Sequence, residues 1–270
     1  MGSGREAEVF AIDEDRVLRL ARRPDMREAV EREQLALSTA SRSGAPVPAV
    51  YETLEVDGRP GLVLERLEGA DLLTTMLTRP WKLPAMPRVL GRLHASLHEI
   101  RAPAELPELR GELRRRLESE LVPEALRAAA IRALAALPEG DRLYHGDFHP
   151  GNVLRRAGGY AVIDWKNVAR ADPAADLART RLLMIGAWIP GLGSRLLQLP
   201  LAPFRWLLYA AYMRAYRRAR AVDRKSLTVW RPVLAAARLA EDIPQERRRL
   251  IRIARRGLNH RIAALDEGMS

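Results

Sequence analysis

Three side chains have the types and spacing needed to move a phosphoryl group. In Tyr144-His145-Gly146-Asp147-Phe148-His149-Pro150-Gly151-Asn152-Val153-Leu154, an amide follows an acid by five positions. Val162-Ile163-Asp164-Trp165 then supplies a second acid twelve positions beyond the amide. Phosphoryl transfer requires one carboxylate to meet the acceptor hydroxyl and take its proton, and an amide oxygen with a second carboxylate to hold magnesium against the triphosphate. On that chemistry Asp147 is the candidate catalytic carboxylate, and Asn152 and Asp164 are the candidate metal ligands. Two plainer readings compete. Asp, Pro, Gly and Asn are ordinary turn residues, so an isolated run of this kind is usually a turn. His145 and His149 could be zinc ligands, but the chain has no cysteine and no helical acid pair lies nearby.

The Asp147-to-Asn152 spacing is that of the protein-kinase catalytic loop, with Asp164 where a second acid follows. The whole stretch resembles the aminoglycoside phosphotransferase and choline kinase-like family of small-molecule kinases. In that family a His-Gly-Asp loop ends in Gly-Asn and the metal acid lies in an Ile-Asp-Trp motif. Residues 2 to 178 carry the resemblance. It implies a protein-kinase-like two-lobed α+β fold, with a small antiparallel-sheet nucleotide-binding lobe over residues 1–67 and the hinge at its end. Residues 68–270 would form the larger, mainly helical lobe with the catalytic loop and acceptor pocket. The implied ligands are ATP, with GTP not separated from it by these motifs, and Mg2+. The implied partner is a small-molecule hydroxyl acceptor that is aminoglycoside-, sugar- or amino-alcohol-like.

These side chains must be positioned by the elements around them. Glu8 to Ile12 and Arg16 to Leu20 read as a hairpin around Asp13-Glu14-Asp15. Ahead of it, Gly2-Ser3-Gly4 would let backbone approach the phosphates. The family normally places a strand before these glycines, and its absence implies a shortened gene model or a truncated lobe. Arg19 stands where kinases place the strand lysine that grips phosphate. A guanidinium can bind phosphate bidentately, so that role survives with altered geometry; the plain alternative is a solvent-facing strand residue. A helix is expected over residues 25 to 42. The family's paired glutamate precedes a Gly-x-Pro-x-Pro segment, here Gly44 to Pro48, which selects Glu33 as the partner of Arg19, with Glu31 as the fallback. Val50 to Val56 and Gly61 to Arg66 form a hairpin around Asp57-Gly58. The second strand runs into the hinge, whose Glu65 and Leu67 backbones are the implied adenine contacts.

From residue 71 the pattern is mostly helical. Val89, Leu90, Leu93, Leu97 and Ile100 form a stripe at helical spacing, and His94 and His98 on that helix are expected to be buried hydrogen-bonding residues. Residues 107 to 137 give further helices broken at Pro123, and Val153-Leu154 with Tyr160 to Ile163 a hairpin. Asp172 with Pro173 reads as a helix start. Asp176 suits the first turn of that helix and would orient the catalytic loop. Residues 179–270 are helical and Arg-rich, with Trp188, Trp206 and Trp230 expected inside and the acids Asp223, Glu241 and Asp242 expected at the surface.

Composition bounds the alternatives. With 47% hydrophobic and 29% charged residues, the chain has the make-up of a globular protein. The apolar stretch from Leu182 to Met213 is interrupted by proline and arginine, which argues against a membrane span. No signal peptide is visible at the start, and the lack of cysteine fits a reducing cytoplasm. The net charge of +11 raises nucleic acid as a partner. However, only Lys82, Lys166 and Lys225 are lysines, and dispersed helical arginine is usually a solvated face. The alternative function in the same fold is a catalytically weak nucleotide-binding regulator.

Overall fold

The computed structural model describes residues 2–3, 7–187 and 201–267. Gly4 and Trp188 lie outside the described residues. The N-terminal strands are β1 (Gly2–Ser3), β2 (Ala7–Ala11), β3 (Arg16–Ala21), β4 (Val50–Val56) and β5 (Arg59–Glu65). They form one antiparallel sheet in the order β1-β2-β3-β5-β4. Gly2 and Ser3 pair with Val9 and Glu8, so an edge strand is present, two residues long and made by the glycine segment itself. The β2–β3 turn is fixed by Asp13, whose Oδ1 accepts from the backbone N–H groups of Asp15 (3.0 Å) and Arg16 (2.8 Å). Asp57 and Gly58 both adopt positive φ, as the two-residue turns that match strand twist require.

Helix α1 (Arg27–Arg42) follows a 3-10 turn at Pro24–Met26. Its buried Val30, Glu33, Ala36, Leu37 and Ala40 recur at helical spacing, and this face packs on β5. Glu33 therefore enters the core beside the sheet as part of the same stripe that holds the helix down. Contacts that tie this region to the helical body include Pro46 O accepting from the Val162 N–H at 2.8 Å and the Arg32 guanidinium meeting Glu112 at 3.1 Å.

The helical body comprises α2 (Leu72–Thr78), α3 (Met86–Leu97), α4 (Leu109–Leu117), α5 (Glu124–Ala135), α6 (Pro173–Gly186), α7 (Ala202–Ala219), α8 (Arg224–Ala237) and α9 (Pro244–Glu267). Short strands β6 (Arg142–Tyr144) and β9 (Ala169–Ala171) pair with each other, and β7 (Val153–Arg156) with β8 (Gly159–Val162) form a hairpin. Leu90, Leu97 and Ile100 are buried as their spacing requires; each fully buried leucine contributes about 1.5–3 kcal/mol. Gly91 sets the separation of α3 from α7, because a Cβ there would come within 2.6 Å of Tyr212 O. That approach brings His94 and His98 against Tyr212 and Tyr216, and all four are buried.

Trp230 is buried, but Trp206 is 47% exposed and does not pack inside. On α7 the inward positions are taken by Tyr209, Tyr212, Met213 and Tyr216, which leaves Trp206 at the surface with the Arg181 guanidinium 5.2 Å from its ring centre. Part of the arginine excess has a structural use. Arg205 donates to Met184 O (2.7 Å), Ala187 O (2.9 Å) and Leu183 O (3.0 Å), closing the C-terminal end of α6. Arg127 does the same for the carbonyls of Leu117, Ser119 and Val122. Among the described residues no helix is long and apolar enough to cross a membrane.

Candidate active site

The loop that carries Asp147 is held from below by α6. Asp172 caps this helix by accepting from the Ala174 N–H at 2.7 Å, with Pro173 in its first turn. One turn further in, fully buried Asp176 accepts from the backbone N–H groups of His145 (2.7 Å, Oδ2) and Gly146 (3.0 Å, Oδ1). Arg179 Nε, on the same side of the helix, donates to Gly146 O at 3.1 Å. Three contacts thus fix three successive peptide units leading into Asp147. Gly146 has φ +77°, and a Cβ there would lie 2.6 Å from Tyr144 Cε1 and 2.7 Å from Asn167 Cβ. Gly146→Ala is therefore expected to lose about 1–2 kcal/mol from the left-handed backbone and about 1–3 kcal/mol more from overpacking. Denaturant unfolding of the variant measures the loss.

Beyond the anchor, side chains of the loop organise one another. His145 Nδ1 accepts from the Asp147 N–H at 3.1 Å, which leaves Nε2–H to donate to Ile163 O at 3.0 Å. One imidazole thereby connects the residue before Asp164 to Asp147, and both its nitrogens are used. That employment disposes of His145 as a zinc ligand. His149 Nδ1 accepts from the Gly151 N–H at 3.0 Å and caps the turn at Pro150–Asn152. Asn152 is buried and its Nδ2 donates to Asp147 O (2.9 Å) and to the Asp147 carboxylate (3.3 Å). With the nitrogen so committed, the oxygen of the amide is the atom left to serve a cation.

Asp164 is a non-glycine residue at φ +64°, a conformation that costs energy and concentrates at functional sites. The next residue, Trp165, is fully buried and its Nε1 donates to Val162 O at 3.0 Å, so the indole holds this turn in place. The Asp164 carboxylate meets Lys166 Nζ at 3.2 Å on Oδ2 and Arg19 Nη2 at 3.9 Å on Oδ1. Arg19 in turn pairs through Nη1 with Glu33 Oε2 at 2.5 Å. The partner of Arg19 is thus Glu33, and a strand, a helix and the β8 exit converge on one chain of charges.

Electrostatics within the site are uneven. Burial pushes the Glu33 carboxyl up to about 7, against the opposing pull of Arg19. Burial would also raise Asp147, but His149, Arg179, Lys166 and His145 outweigh it and hold the carboxyl below its usual value. Asp147 is consequently ionised at neutral pH. Burial works against the Asp176 carboxylate too, yet His94 and His98 keep it well below the ordinary range. Glu241, expected at the surface, is half-buried and pairs with both Arg179 and Arg238. A buried arginine beneath the loop needs that partner. Asp223 is exposed and caps α8, and Asp242 is exposed.

Arg19, Glu33, Asn152, Asp164 and Lys166 line one cleft of about 850 Å³ together with the Glu65–Leu67 segment, a size suited to a nucleotide-scale ligand. Gly2 and Ser3 lie on the edge strand beside β2, whose Ala7, Val9 and Ala11 also face this cleft. The Glu65 N–H is already donated to Ala49 O at 2.9 Å. Lys166, which lines the cleft, and Arg179, which holds the loop, are not singled out by the motifs. The adjacency of Lys166 to Ile163-Asp164-Trp165 is a usable signal for it, whereas nothing local marks Arg179.

A small antiparallel sheet joined to a helical body, with Asn152 and Asp164 lining the cleft and Asp147 bonded to Asn152 just outside that lining, has the architecture of the protein-kinase-like small-molecule phosphotransferases. The sequence profile of the Phosphotransferase enzyme family matches residues 1–222, and the chain belongs to that family. It is 34% identical over 165 residues to the viomycin phosphotransferase of Streptomyces vinaceus, a match covering 49% of this chain and 56% of that protein. It is 36% identical over 140 residues to the hydroxyurea phosphotransferase of Kitasatospora aureofaciens, covering 46% and 39%. The chain thus matches roughly half or less of each relative's length. Among solved structures, a choline/ethanolamine kinase family protein from Mesorhizobium loti superposes with a TM-score of 0.59 at 20% identity, over 97% of this chain and 85% of that one. A thermostable mutant of aminoglycoside phosphotransferase APH(4)-Ia, in ternary complex with AMP-PNP and hygromycin B, gives 0.58 at 18% identity over 99% and 91%. At such identities these likenesses establish the fold.

Proposed function

We propose that the chain transfers the terminal phosphoryl group of a nucleoside triphosphate, ATP in the first instance, to a hydroxyl of a small molecule. The observation that carries this reading is the convergence of Asp147, Asn152 and Asp164 with the Arg19–Glu33 pair. Asp147 orients the acceptor hydroxyl and receives its proton. The acceptor oxygen bonds to the γ-phosphorus as the bond from that phosphorus to the bridging oxygen breaks, and the nucleoside diphosphate departs with the electron pair. Arg19, held by Glu33, grips phosphate, and the Gly2-Ser3 backbone covers it. Adenine contacts the hinge through the carbonyl of Glu65, whose N–H is occupied, and through the N–H of Leu67.

Asn152 and Asp164 fit magnesium, because they present an amide oxygen and a carboxylate, the hard oxygen donors this ion takes. Held by them, magnesium would supply charge neutralisation on the phosphates. The acceptor belongs to the class of small hydroxylated molecules, for which the named relatives and the hygromycin B complex are the support. Thermal-shift titration with ATP or GTP, each with and without magnesium, tests the reading, since a ligand bound only to the native state raises the melting temperature. A magnesium-dependent rise is expected; no rise with either nucleotide would overturn the assignment.

The raised Glu33 carboxyl adds a pH signature. Below about 7 the carboxyl is protonated and holds Arg19 weakly, and above it the ionised form aligns the guanidinium. Nucleotide affinity is expected to climb severalfold between about pH 6 and 8. Glu33→Gln, which cannot ionise, should flatten that profile in isothermal titration.

A further inference from the structure

Lys166 is not explained by the reading above. Its ammonium lies 3.2 Å from Asp164 Oδ2, with the side chain 34% exposed. It lines the same cleft as Arg19, Asn152 and Asp164. Its charge is also felt by Asp147 and by Glu33, opposing at both the upward push of burial. Lys166 therefore stands among the acid meant for the acceptor, the acid meant for the metal and the acid that aligns Arg19. It is also one of three lysines in a chain with 45 basic residues, so at this position a compact charge on a flexible stem replaces the usual planar fork.

The contact with Asp164 conflicts with the role proposed for that carboxylate. A divalent cation held by Asp164 would repel an ammonium on the same carboxylate, and the flexible four-carbon stem of the lysine lets it move away. Displaced, it needs another anion within reach of its stem. The Asp147 carboxylate must face the acceptor, and Glu33 is buried against Arg19. The anion that arrives with the metal is the phosphate chain.

We propose that Lys166 is a phosphate-contacting catalytic residue: on nucleotide binding its ammonium leaves Asp164 for the terminal phosphate, where it neutralises charge during transfer. The inference rests on the phosphotransferase reading and adds to it a residue that distinguishes triphosphate from diphosphate. Here the same ammonium, together with Arg19, pairs the Asp164 carboxylate beside Glu33.

The test is isothermal titration of a nucleoside triphosphate and the matching diphosphate, both with magnesium, against the unmodified chain, Lys166→Met and Lys166→Arg. A hydrogen bond to a charged group is worth about 1.5–3 kcal/mol, so Lys166→Met is expected to weaken triphosphate binding at least about tenfold. Diphosphate affinity should change less than about twofold, and Lys166→Arg should recover most of the triphosphate affinity. Equal losses for the two nucleotides, or no loss, would overturn the proposal. Tighter binding of both by Lys166→Met would also overturn it, identifying the lysine as a counter-ion of Asp164 only. If the unmodified chain bound neither nucleotide, the function proposed above would fall and take this inference with it.

Discussion

Asp147→Asn is expected to lower phosphoryl transfer by about 10²–10⁴-fold, the range associated with loss of a positioned acid or base, while nucleotide affinity stays within about threefold. The substitution keeps the shape of the side chain and removes its charge. Asp147 is held in ionised form by His149, Arg179, Lys166 and His145 in spite of burial, so it is a weak base in the ground state. Such a carboxylate suits a transition state with little bonding to the nucleophile: it aligns the hydroxyl early and takes the proton late. The amide that replaces it could still align a hydroxyl through its oxygen but has no capacity for the proton. In the function proposed above, nucleotide binding is assigned elsewhere, to Arg19 with Glu33, to Asn152 with Asp164 and to the hinge segment. Steady-state turnover with a responding acceptor and titration of nucleotide in parallel separate the two effects. Undiminished turnover would remove Asp147 from the mechanism.

Asp147, Asn152 and Asp164 can be picked out as candidates from sequence because their spacing is local. Asp147 and Asn152 share one loop, and Asp164 leaves the very next hairpin, so spacing alone carries them. Arg19 and Glu33 come from different elements, and the composition of α1 leaves Glu31 open as well. Burial decides between them, since Glu33 lies on the stripe with Val30, Ala36, Leu37 and Ala40 and Glu31 lies on the exposed face. The paired strands and turns are equally accessible, because Asp57-Gly58 and Asp172-Pro173 each specify backbone geometry within a few residues.

What escapes sequence reading depends on long-range contact. Arg179 reaches the loop across 33 residues and Glu241 across 62, and neither neighbourhood signals the other. Trp206 is expected in the interior because tryptophan is usually well buried. On α7, however, tyrosines take the inward positions and the indole is left beside Arg181. Asp176 reads locally as a first-turn acid complementing the helix dipole. Its hold on the catalytic loop is expected from sequence, but its engagement with α3 is not: two backbone N–H groups and two imidazoles converge on one carboxylate.

That convergence makes Asp176→Asn the most damaging conservative substitution expected for stability. His94 and His98 each bring Nε2 to Asp176 Oδ2, at 3.2 and 3.4 Å. Their Nδ1 atoms are engaged by the Tyr212 hydroxyl (2.6 Å) and the Tyr216 hydroxyl (2.8 Å). The imidazoles could change tautomer to suit an amide, but the backbone N–H groups of His145 and Gly146 cannot. Whichever way an asparagine is turned, its NH2 faces one of those fixed donors. One loop hydrogen bond is lost and an N–H is buried against another. Removing one partner from a buried charged cluster costs about 3–5 kcal/mol, which for a chain of this size lowers the melting temperature by about 5–9 °C. Acid should expose the same cluster in the unmodified chain. His94 is lowered by burial from 6.5 to about 4, so between those values the unfolded chain binds a proton that the folded chain refuses. Stability is then fully present above about pH 6.5 and falls toward pH 4, by about 3 kcal/mol from this group. Asp176, also depressed, adds a further loss as pH drops below its unfolded value of 3.8. His94→Gln should remove the upper part of this slope, so that melting temperature varies less between pH 6.5 and 4 than in the unmodified chain. An unchanged slope would place the acid-sensitive group elsewhere and leave His94 as packing alone.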